Sequence, residues 1–221
     1  MKLIPSPLQD VLIIEPDVFA DDRGWFTESF NAPRLDAALK ALGLPAAPPF
    51  VQDNHSCSRA GVLRGLHYQL PPHAQGKLVR VVQGRVWDVT VDVRRGSPHF
   101  GCWAGIELSA ANRRQLWIPP GFAHGFLALD DDTHFLYKTT DVYAKQSERA
   151  IRWDDPTLAI AWPLAAGQPV QLAAKDAAAP LFADAEVFEQ RPADRVPAAA
   201  PAVQGRRRLS RVTRAAELLH V

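Results

Sequence analysis

Four short segments of the chain place ionisable side chains beside apolar, strand-forming residues. They are VLRGLHYQ (62–69), QGKLVRVVQG (75–84), WIPPGFAHGF (117–126) and FLYKTTDVY (135–143), and they carry histidine, lysine, arginine and tyrosine. Such groups can move protons on and off a carbon beside a carbonyl, and the cations can also clamp an anion. The segments therefore predict acid–base chemistry on an anionic substrate.

The bulk composition is that of an ordinary globular protein. The 221 residues are 47% hydrophobic and 22% charged, and the formal net charge is +1. A chain of this size can build a sizeable core without disulfides or a structural metal. The overall charge predicts neither a nucleic-acid nor a membrane partner, so any anion site must come from a local cluster of cations.

The N-terminus and the two cysteines predict a cytoplasmic protein. The start, MKLIPSPLQDVLIIEPD, has early prolines and acids and no long apolar run, which is unlike a signal peptide. No stretch approaches the ~20 apolar residues of a membrane-spanning helix. Cys57 and Cys102 lack metal-ligand spacing, and we expect them to be free thiols in a reducing cytosol.

Short strand-forming runs separated by Gly, Pro, Asp and Asn dominate the chain up to residue 143. The first two, VLIIEPDVF (11–19) and WFTESF (25–30), flank a turn. One helix is predicted after them, capped by Asn31 and ended by Gly43. Many short strands with little helix favour an all-β jelly roll or sandwich. The apolar residues that share one face of the helix are Leu35, Ala38, Leu39 and Leu42.

The run RVWDVTVDVR (85–94) alternates strictly, and its two faces differ in character. A solvated polar face behind an apolar core is one interpretation. A barrel whose interior is partly polar because it holds a ligand is the other, and alternation alone does not choose between them. The apolar face carries Trp87, Val89, Val91 and Val93, and the other carries Val86, Asp88, Thr90 and Asp92.

The domain organisation follows from a change in composition near Gln190. We expect residues 1–190 to form a single domain and the Pro-, Ala- and Arg-rich residues 191–221 to form a disordered tail. Residues 210–220 could form a short basic helix capped by Ser210, although a solvated extension without function is the simpler interpretation.

The motif Pro-x-Gly-x-x-His, formed by Pro119, Gly121 and His124, resembles the second half of the signature of cupins, which are jelly-roll barrels. The first half of that signature needs an H-x-H pair, whereas His67 is followed by Tyr and Gln, and His73 lies six residues away. A transition-metal site needs three or four well-placed ligands. We therefore expect no metal, which leaves the histidines free to act as bases or hydrogen-bonding groups.

The four segments, together with VQDNHS (51–56) and KDAAAP (175–180), resemble the dTDP-4-dehydrorhamnose 3,5-epimerase family, of the RmlC type. The resemblance runs in order from about residue 3 to about residue 185. It implies a cupin-like jelly roll, a homodimer, no cofactor, and a substrate that is dTDP-4-keto-6-deoxy-glucose. The implied reaction of dTDP-L-rhamnose biosynthesis inverts C3 and C5, whose protons are acidic because each carbanion is delocalised onto the C4 oxygen.

The resemblance assigns four catalytic residues. His67 is the base, since imidazole titrates near neutrality, and Asp176 is the carboxylate that orients it. Tyr137 is the proton donor on the opposite face of the sugar, although the sequence alone does not separate its role from that of Tyr143. Lys77 stabilises the negative charge that develops on oxygen.

The resemblance also implies a set of substrate-binding residues. Arg23 and Arg64 match ligands of the diphosphate, to which a guanidinium donates two parallel hydrogen bonds. Tyr143 matches the residue that stacks on thymine. On our own inference, Asp88 orients one of the two histidines. The full set of binding residues is Arg23, Glu28, Gln52, Asn54, Arg64, Lys77, His124, Tyr143, Glu148 and Lys175.

Three other functions compete with the 3,5-epimerase. A relative that epimerises only C3 or only C5 of another dTDP-deoxysugar could use the same base and donor. A metal-dependent cupin oxygenase would need bound metal. A non-catalytic sugar-nucleotide-binding module would need no acid–base pair, so His67 and Tyr137 argue against it. In the expected homodimer, Arg23 and Glu28 would reach the partner's site.

Overall fold

A computed structural model describes residues 1–164 and 169–189 of the chain. The predicted tail (191–221) and its possible short helix (210–220) lie outside the described residues. Within the described part, no helix has the length and apolar character needed to cross a membrane.

Two antiparallel sheets form the body of the domain, which confirms the predicted all-β jelly roll. The six-stranded sheet has the order β1 (Lys2–Pro5), β2 (Leu12–Glu15), β10 (Gln115–Ile118), β7 (Lys77–Gln83), β12 (Thr133–Thr139), β5 (Gln52–Ser58). The five-stranded sheet has the order β13 (Glu148–Ala150), β6 (Leu63–Gln69), β11 (Phe122–Ala128), β8 (Arg85–Asp92), β9 (Trp103–Ser109).

The remaining elements lie around the two sheets. A separate hairpin pairs β3 (Val18–Asp21) with β4 (Gly24–Thr27). Helix α1 (Ala32–Ala41) follows the hairpin. A one-turn helix α2 (Ala174–Ala177) and a 3₁₀ turn (Phe182–Asp184) lie near the end of the described chain.

The main core lies between the two sheets, because one buried cluster draws Val79, Val81 and Leu116 from the larger sheet and Val86 and Phe126 from the smaller. Further apolar layers cover the outer faces. Leu35 and Leu39 of α1 pack on Leu12, Leu78 and Trp117 outside the larger sheet.

The position of strand β8 decides between the two interpretations of its alternating sequence. Its apolar residues Val89 and Val91 lie on the outside of the smaller sheet and are covered by later parts of the chain. Its polar face points into the space between the sheets, where Asp88, Thr90 and Asp92 are fully buried. The polar-interior interpretation is therefore the correct one.

The strands near the N-terminus differ from the prediction. The run 11–19 is not one strand: it breaks after Glu15, because Pro16 cannot donate to a ladder, and resumes as β3. Strand β1 was not foreseen, since Lys2–Pro5 is short and ends in proline. The tight connection predicted at Gln83-Gly84 is confirmed, because only Gly84, with φ of +75°, separates β7 from β8, and it carries the chain from one sheet to the other.

The helix prediction is confirmed except at its C-terminal end. Asn31 caps α1 by accepting from the backbone N–H of Arg34, and Gly43 follows with φ of +73°. Leu35 and Leu39 are buried as expected, but Leu42 is 45% exposed. Leu42 lies beyond the last helical residue, so it no longer follows the helical periodicity.

Candidate active site

A cavity of about 590 Å³ opens between the two sheets. This volume lies within the range of small-molecule sites, which runs from about 300 to 1,000 Å³. Both sheets and the segment around α2 contribute to its wall. The lining residues are Asn54, His55, Ser56, Val62, Leu63, Arg64, His67, Lys77, His124, Phe126, Phe135, Tyr137, Tyr143, Glu148, Gln171, Leu172, Ala173, Lys175 and Asp176.

His67 on β6 forms a close pair with Asp176 of α2. Nε2 of His67 lies 2.6 Å from Oδ1 of Asp176, and the backbone N–H of Gly65 donates to the other carboxylate oxygen over 3.3 Å. Burial alone would raise the pKa of Asp176, but the hydrogen bond and the attraction to His67 outweigh it and hold that pKa below its usual value. The carboxylate therefore stays ionised and can stabilise a positive imidazole ring.

His124 on β11 lies beside His67 on the neighbouring strand β6, since the two residues are paired in the β6–β11 register. Its Nε2 lies 2.9 Å from Oδ2 of Asp88, which is fully buried. Burial raises the pKa of Asp88, and the nearby His124 and Lys77 only partly oppose this. Asp88 thus contacts the histidine that is not paired with Asp176.

Lys77 on β7 brings a buried ammonium group to the cavity. Its Nζ donates to the backbone carbonyl of His67 over 3.2 Å, so it lies beside the base of the predicted mechanism. Burial lowers the pKa of Lys77 to about 8, although Asp88 and Glu148 act in the opposite direction. Near neutral pH the group still carries its proton, in surroundings where a charge acts strongly.

Tyr137 belongs to β12 of the larger sheet, whereas His67 belongs to the smaller sheet. Both side chains line the cavity, so they approach it from opposite walls. Burial raises the pKa of Tyr137, with Arg64 and Lys175 partly opposing this. The phenol is therefore protonated at neutral pH, the state that a proton donor needs.

Tyr143 stands at the mouth of the cavity and is 54% exposed. Its hydroxyl donates to Oε2 of Glu148 over 3.0 Å, and Lys175 pairs with the other oxygen of Glu148 over 2.8 Å. Its backbone N–H donates to the side chain of Gln52, which in turn donates to Asn54. These contacts hold the residue in place while more than half of its surface remains exposed, as a stacking residue requires.

Arg64 on β6 supplies a positive charge to the wall of the cavity. Its guanidinium donates to the hydroxyl of Ser58 and to the carbonyl of Cys57, over 3.1 and 3.2 Å. Both of these partners are neutral, so its charge is available to an anionic ligand.

Three predicted binding residues do not line the cavity of their own chain: Gln52, which contacts the lining residues Tyr143 and Asn54, and also Arg23 and Glu28. Arg23 is at the turn of the β3–β4 hairpin, where it pairs with Asp21 and its side chain is 89% exposed. Glu28 follows β4 and pairs with Arg34. The contact of Arg23 and Glu28 with substrate remains a prediction that requires a second chain.

Part of the cavity wall was not predicted from the sequence. Ser56 lines the cavity between Asn54 and Ser58, and its hydroxyl has no hydrogen-bond partner among the described residues. The rings of Phe126 and Phe135 stack with their centroids 4.2 Å apart and form an apolar surface inside the cavity. Period-two alternation along β5, β11 and β12 could have placed these residues beside the predicted ones.

Of the three histidines that line the cavity, His67 and His124 each contact a carboxylate, whereas Nε2 of His55 lies 2.9 Å from Nδ1 of His134. Across residues 1–164 and 169–189, no three His, Cys, Asp or Glu side chains are arranged to hold a metal ion. The arrangement therefore provides two separate imidazole–carboxylate pairs, a buried ammonium group and an opposing phenol.

Comparison with known proteins gives consistent results. A family model described as dTDP-4-dehydrorhamnose 3,5-epimerase matches residues 5–184. An enzyme of that name from Shigella flexneri is 53% identical over 188 residues, which cover 85% of this chain and 99% of the relative.

Solved structures agree with this result. The crystal structure of dTDP-6-deoxy-D-glucose-3,5-epimerase from Legionella pneumophila in complex with dTDP-4-keto-L-rhamnose is 49% identical, with a TM-score of 0.79, and covers 86% of this chain and 98% of its own. A 3'-monoepimerase from Streptomyces bikiniensis in complex with dTDP-quinovose is 34% identical, with a TM-score of 0.72, and covers 81% of this chain and 88% of its own.

Proposed function

Because the chain belongs to the dTDP-4-dehydrorhamnose 3,5-epimerase family, we propose that it inverts C3 and C5 of dTDP-4-keto-6-deoxy-glucose in dTDP-L-rhamnose biosynthesis. The enzyme is an isomerase, and the reaction moves protons without net oxidation or reduction. Its own side chains supply the base and the acid.

In each half-reaction, His67 takes the proton from the carbon beside the C4 ketone. The electron pair of the broken C–H bond moves onto the C4 oxygen and forms an enolate. Asp176 stabilises the imidazolium that results. Tyr137 then gives its phenolic proton to the same carbon from the opposite face, and exchange with solvent restores both residues.

Lys77 stabilises the enolate. Its ammonium group is buried in the wall beside His67, so it is in place before charge develops and needs no reorganisation. The keto group would lie close to this ammonium and between His67 and Tyr137.

The mouth of the cavity suits the nucleotide diphosphate. Arg64 carries a charge whose partners are neutral, and Tyr143 presents an aromatic face. We place the diphosphate at Arg64 and the thymine on Tyr143. Glu148 and Lys175 would hold Tyr143 in place and complete the rim.

The observation that carries this proposal is the His67–Asp176 pair on one wall with Tyr137 on the other. The test is an NMR time course with dTDP-4-keto-6-deoxy-glucose in heavy water. A 3,5-epimerase incorporates deuterium at C3 and at C5, with inversion at both carbons. Incorporation at one carbon alone would contradict the proposal.

The similarity to a 3'-monoepimerase keeps a single-site enzyme as the second candidate. One base and one donor serve either outcome, so the number of labelled carbons separates the two. A metal-dependent oxygenase is tested separately. Iron or nickel bound in stoichiometric amount and required for turnover would replace the proton-transfer mechanism.

We further propose a homodimer in the cytoplasm. The β3–β4 hairpin exposes Phe19, Trp25 and Phe26 by 57–67%, an apolar surface of the kind that subunit interfaces cover. Arg23 and Glu28, at and just after this hairpin, would then enter the partner's cavity. Both cysteines are free and exposed, which fits a reducing compartment. An active monomer in sedimentation experiments would contradict the dimer.

A further inference from the structure

Three residues of the sequence motifs have no role in the proposed chemistry, yet two of them contact one loop and the third belongs to it. They are Gln69, which ends VLRGLHYQ, Gln75, which begins QGKLVRVVQG, and Asp141 in FLYKTTDVY. The loop is residues 140–144, between β12 and β13, and it carries Tyr143 at the mouth of the cavity. We call it the Tyr143 loop.

Gln69 makes the densest set of contacts with this loop. Its side-chain NH₂ donates to the carbonyl of Val142 over 3.1 Å and to the carbonyl of His73 over 2.7 Å. Its side-chain oxygen accepts from the backbone N–H of Ala144 over 2.9 Å. One amide thus holds the loop on both sides of Tyr143, and it joins the loop to the turn after β6.

The amide is well suited to this position, because it is only 4% exposed and uses both of its donors and its acceptor. No other side chain of this size can donate two hydrogen bonds from one nitrogen and accept one on a neighbouring oxygen, apart from asparagine, which is one carbon shorter. A buried polar group that is fully satisfied fixes a single local arrangement.

The neighbouring contacts support the same loop from other sides. Gln75 donates to the carbonyl of Asp141 over 2.8 Å, and the Asp141 carboxylate lies 3.2 Å from Nδ1 of His73. The hydrogen bonds of Gln69 and Gln75 go to backbone atoms, and Tyr143 remains 54% exposed, so its side chain is still available to a ligand.

We propose that Gln69 is a positioning residue that sets the place of Tyr143 and thereby the affinity for the nucleotide. This inference rests on the proposed function, because it takes Tyr143 as the residue that contacts the base. Gln69 does not touch the reacting carbons, so it acts on binding and not on proton transfer.

The test is the Gln69→Glu variant, which keeps the shape of the side chain and removes its nitrogen donors. A carboxylate would face two carbonyl oxygens, and even a protonated carboxyl donates to only one of them. We expect the Kd for dTDP in calorimetry and the KM for the sugar nucleotide to rise about tenfold, with kcat within twofold of the wild type.

The matched control is Gln115→Glu. Gln115 is also 4% exposed and donates to a backbone carbonyl, that of Ser29, but it does not line the cavity. We expect this control to lower the Tm while the Kd for dTDP stays within twofold. If Gln69→Glu fails to fold, Gln69→Leu, which introduces no charge, takes its place.

A double-mutant cycle with Tyr143→Ala separates positioning from general damage. If Gln69 acts through Tyr143, Gln69→Glu adds less than twofold to the Kd of the Tyr143→Ala protein. Independent, multiplicative effects of the two substitutions would overturn the inference. So would an unchanged Kd in Gln69→Glu, whereas a wild-type protein that does not bind dTDP would overturn the proposed function itself.

Discussion

At the scale of single residues, the proposed base depends on the hydrogen bond between His67 and Asp176. Replacing Asp176 by Asn keeps the size of the side chain but removes the charge that stabilises the imidazolium. We expect kcat to fall on the order of 100-fold or more, with little change in KM, as measured by steady-state kinetics. Asp154→Asn, which alters an exposed carboxylate paired with Arg152, is the control. If kcat of Asp176→Asn stays within twofold of the wild type, the base does not depend on the charge of Asp176.

Lys77 gives a prediction of pH dependence. Burial lowers its pKa to about 8, so the ammonium form that stabilises the enolate is present below that pH and lost above it. We expect kcat/KM to decline as the pH rises through about 8. In Lys77→Arg the guanidinium stays charged, so the decline should disappear or move to higher pH even if the rate is lower. An unchanged alkaline limb in Lys77→Arg would assign the titration to another group.

At the scale of elements, much of the site follows from the sequence because strands impose their periodicity on it. The alternation along β8 and the segment FLYKTTDVY place Asp88 and Tyr137 on inward faces once the sheets are known. The sequence did not decide whether the polar face of β8 is solvated, because that depends on which sheet covers it. Asp176 lies 109 residues from His67, so only the fold or the family pattern joins them.

Close approach of β6 and β11 gives a prediction at the same scale. A Cβ at Gly125 would lie 2.7 Å from the carbonyl oxygen of Arg64 and 3.0 Å from Cα of Gly65. Gly125→Ala must push the two histidine-bearing strands apart, and we expect about 2 kcal/mol of lost stability, measured by denaturant unfolding, together with reduced activity. Gly125 does not have a positive φ, so the alanine adds no left-handed backbone strain and the loss of stability reports the packing of the two strands. Wild-type stability in Gly125→Ala would show that this packing is more tolerant than the distances indicate.

At the scale of the whole molecule, the location of Arg23 leads to a prediction about assembly. If Arg23 completes the partner's cavity, a mixture of His67→Ala and Arg23→Ala chains contains heterodimers with one intact site. Random pairing would restore about a quarter of the wild-type sites. The restored fraction of sites is measured as the activity of the re-dimerised mixture at low substrate concentration. Activity no greater than the mean of the two separate variants would place Arg23 outside the partner's active site.

In the proposed mechanism, two residues on opposite walls carry the proton transfers: His67 removes the proton and Tyr137 returns it. Incubation of Tyr137→Phe with dTDP-4-keto-6-deoxy-glucose in heavy water, followed by NMR, separates these two roles. His67 should still exchange the protons beside the ketone, so deuterium should enter C3 or C5 with the configuration retained, whereas His67→Ala should incorporate none. Inversion at the wild-type rate in Tyr137→Phe, or exchange at the wild-type rate in His67→Ala, would contradict the account.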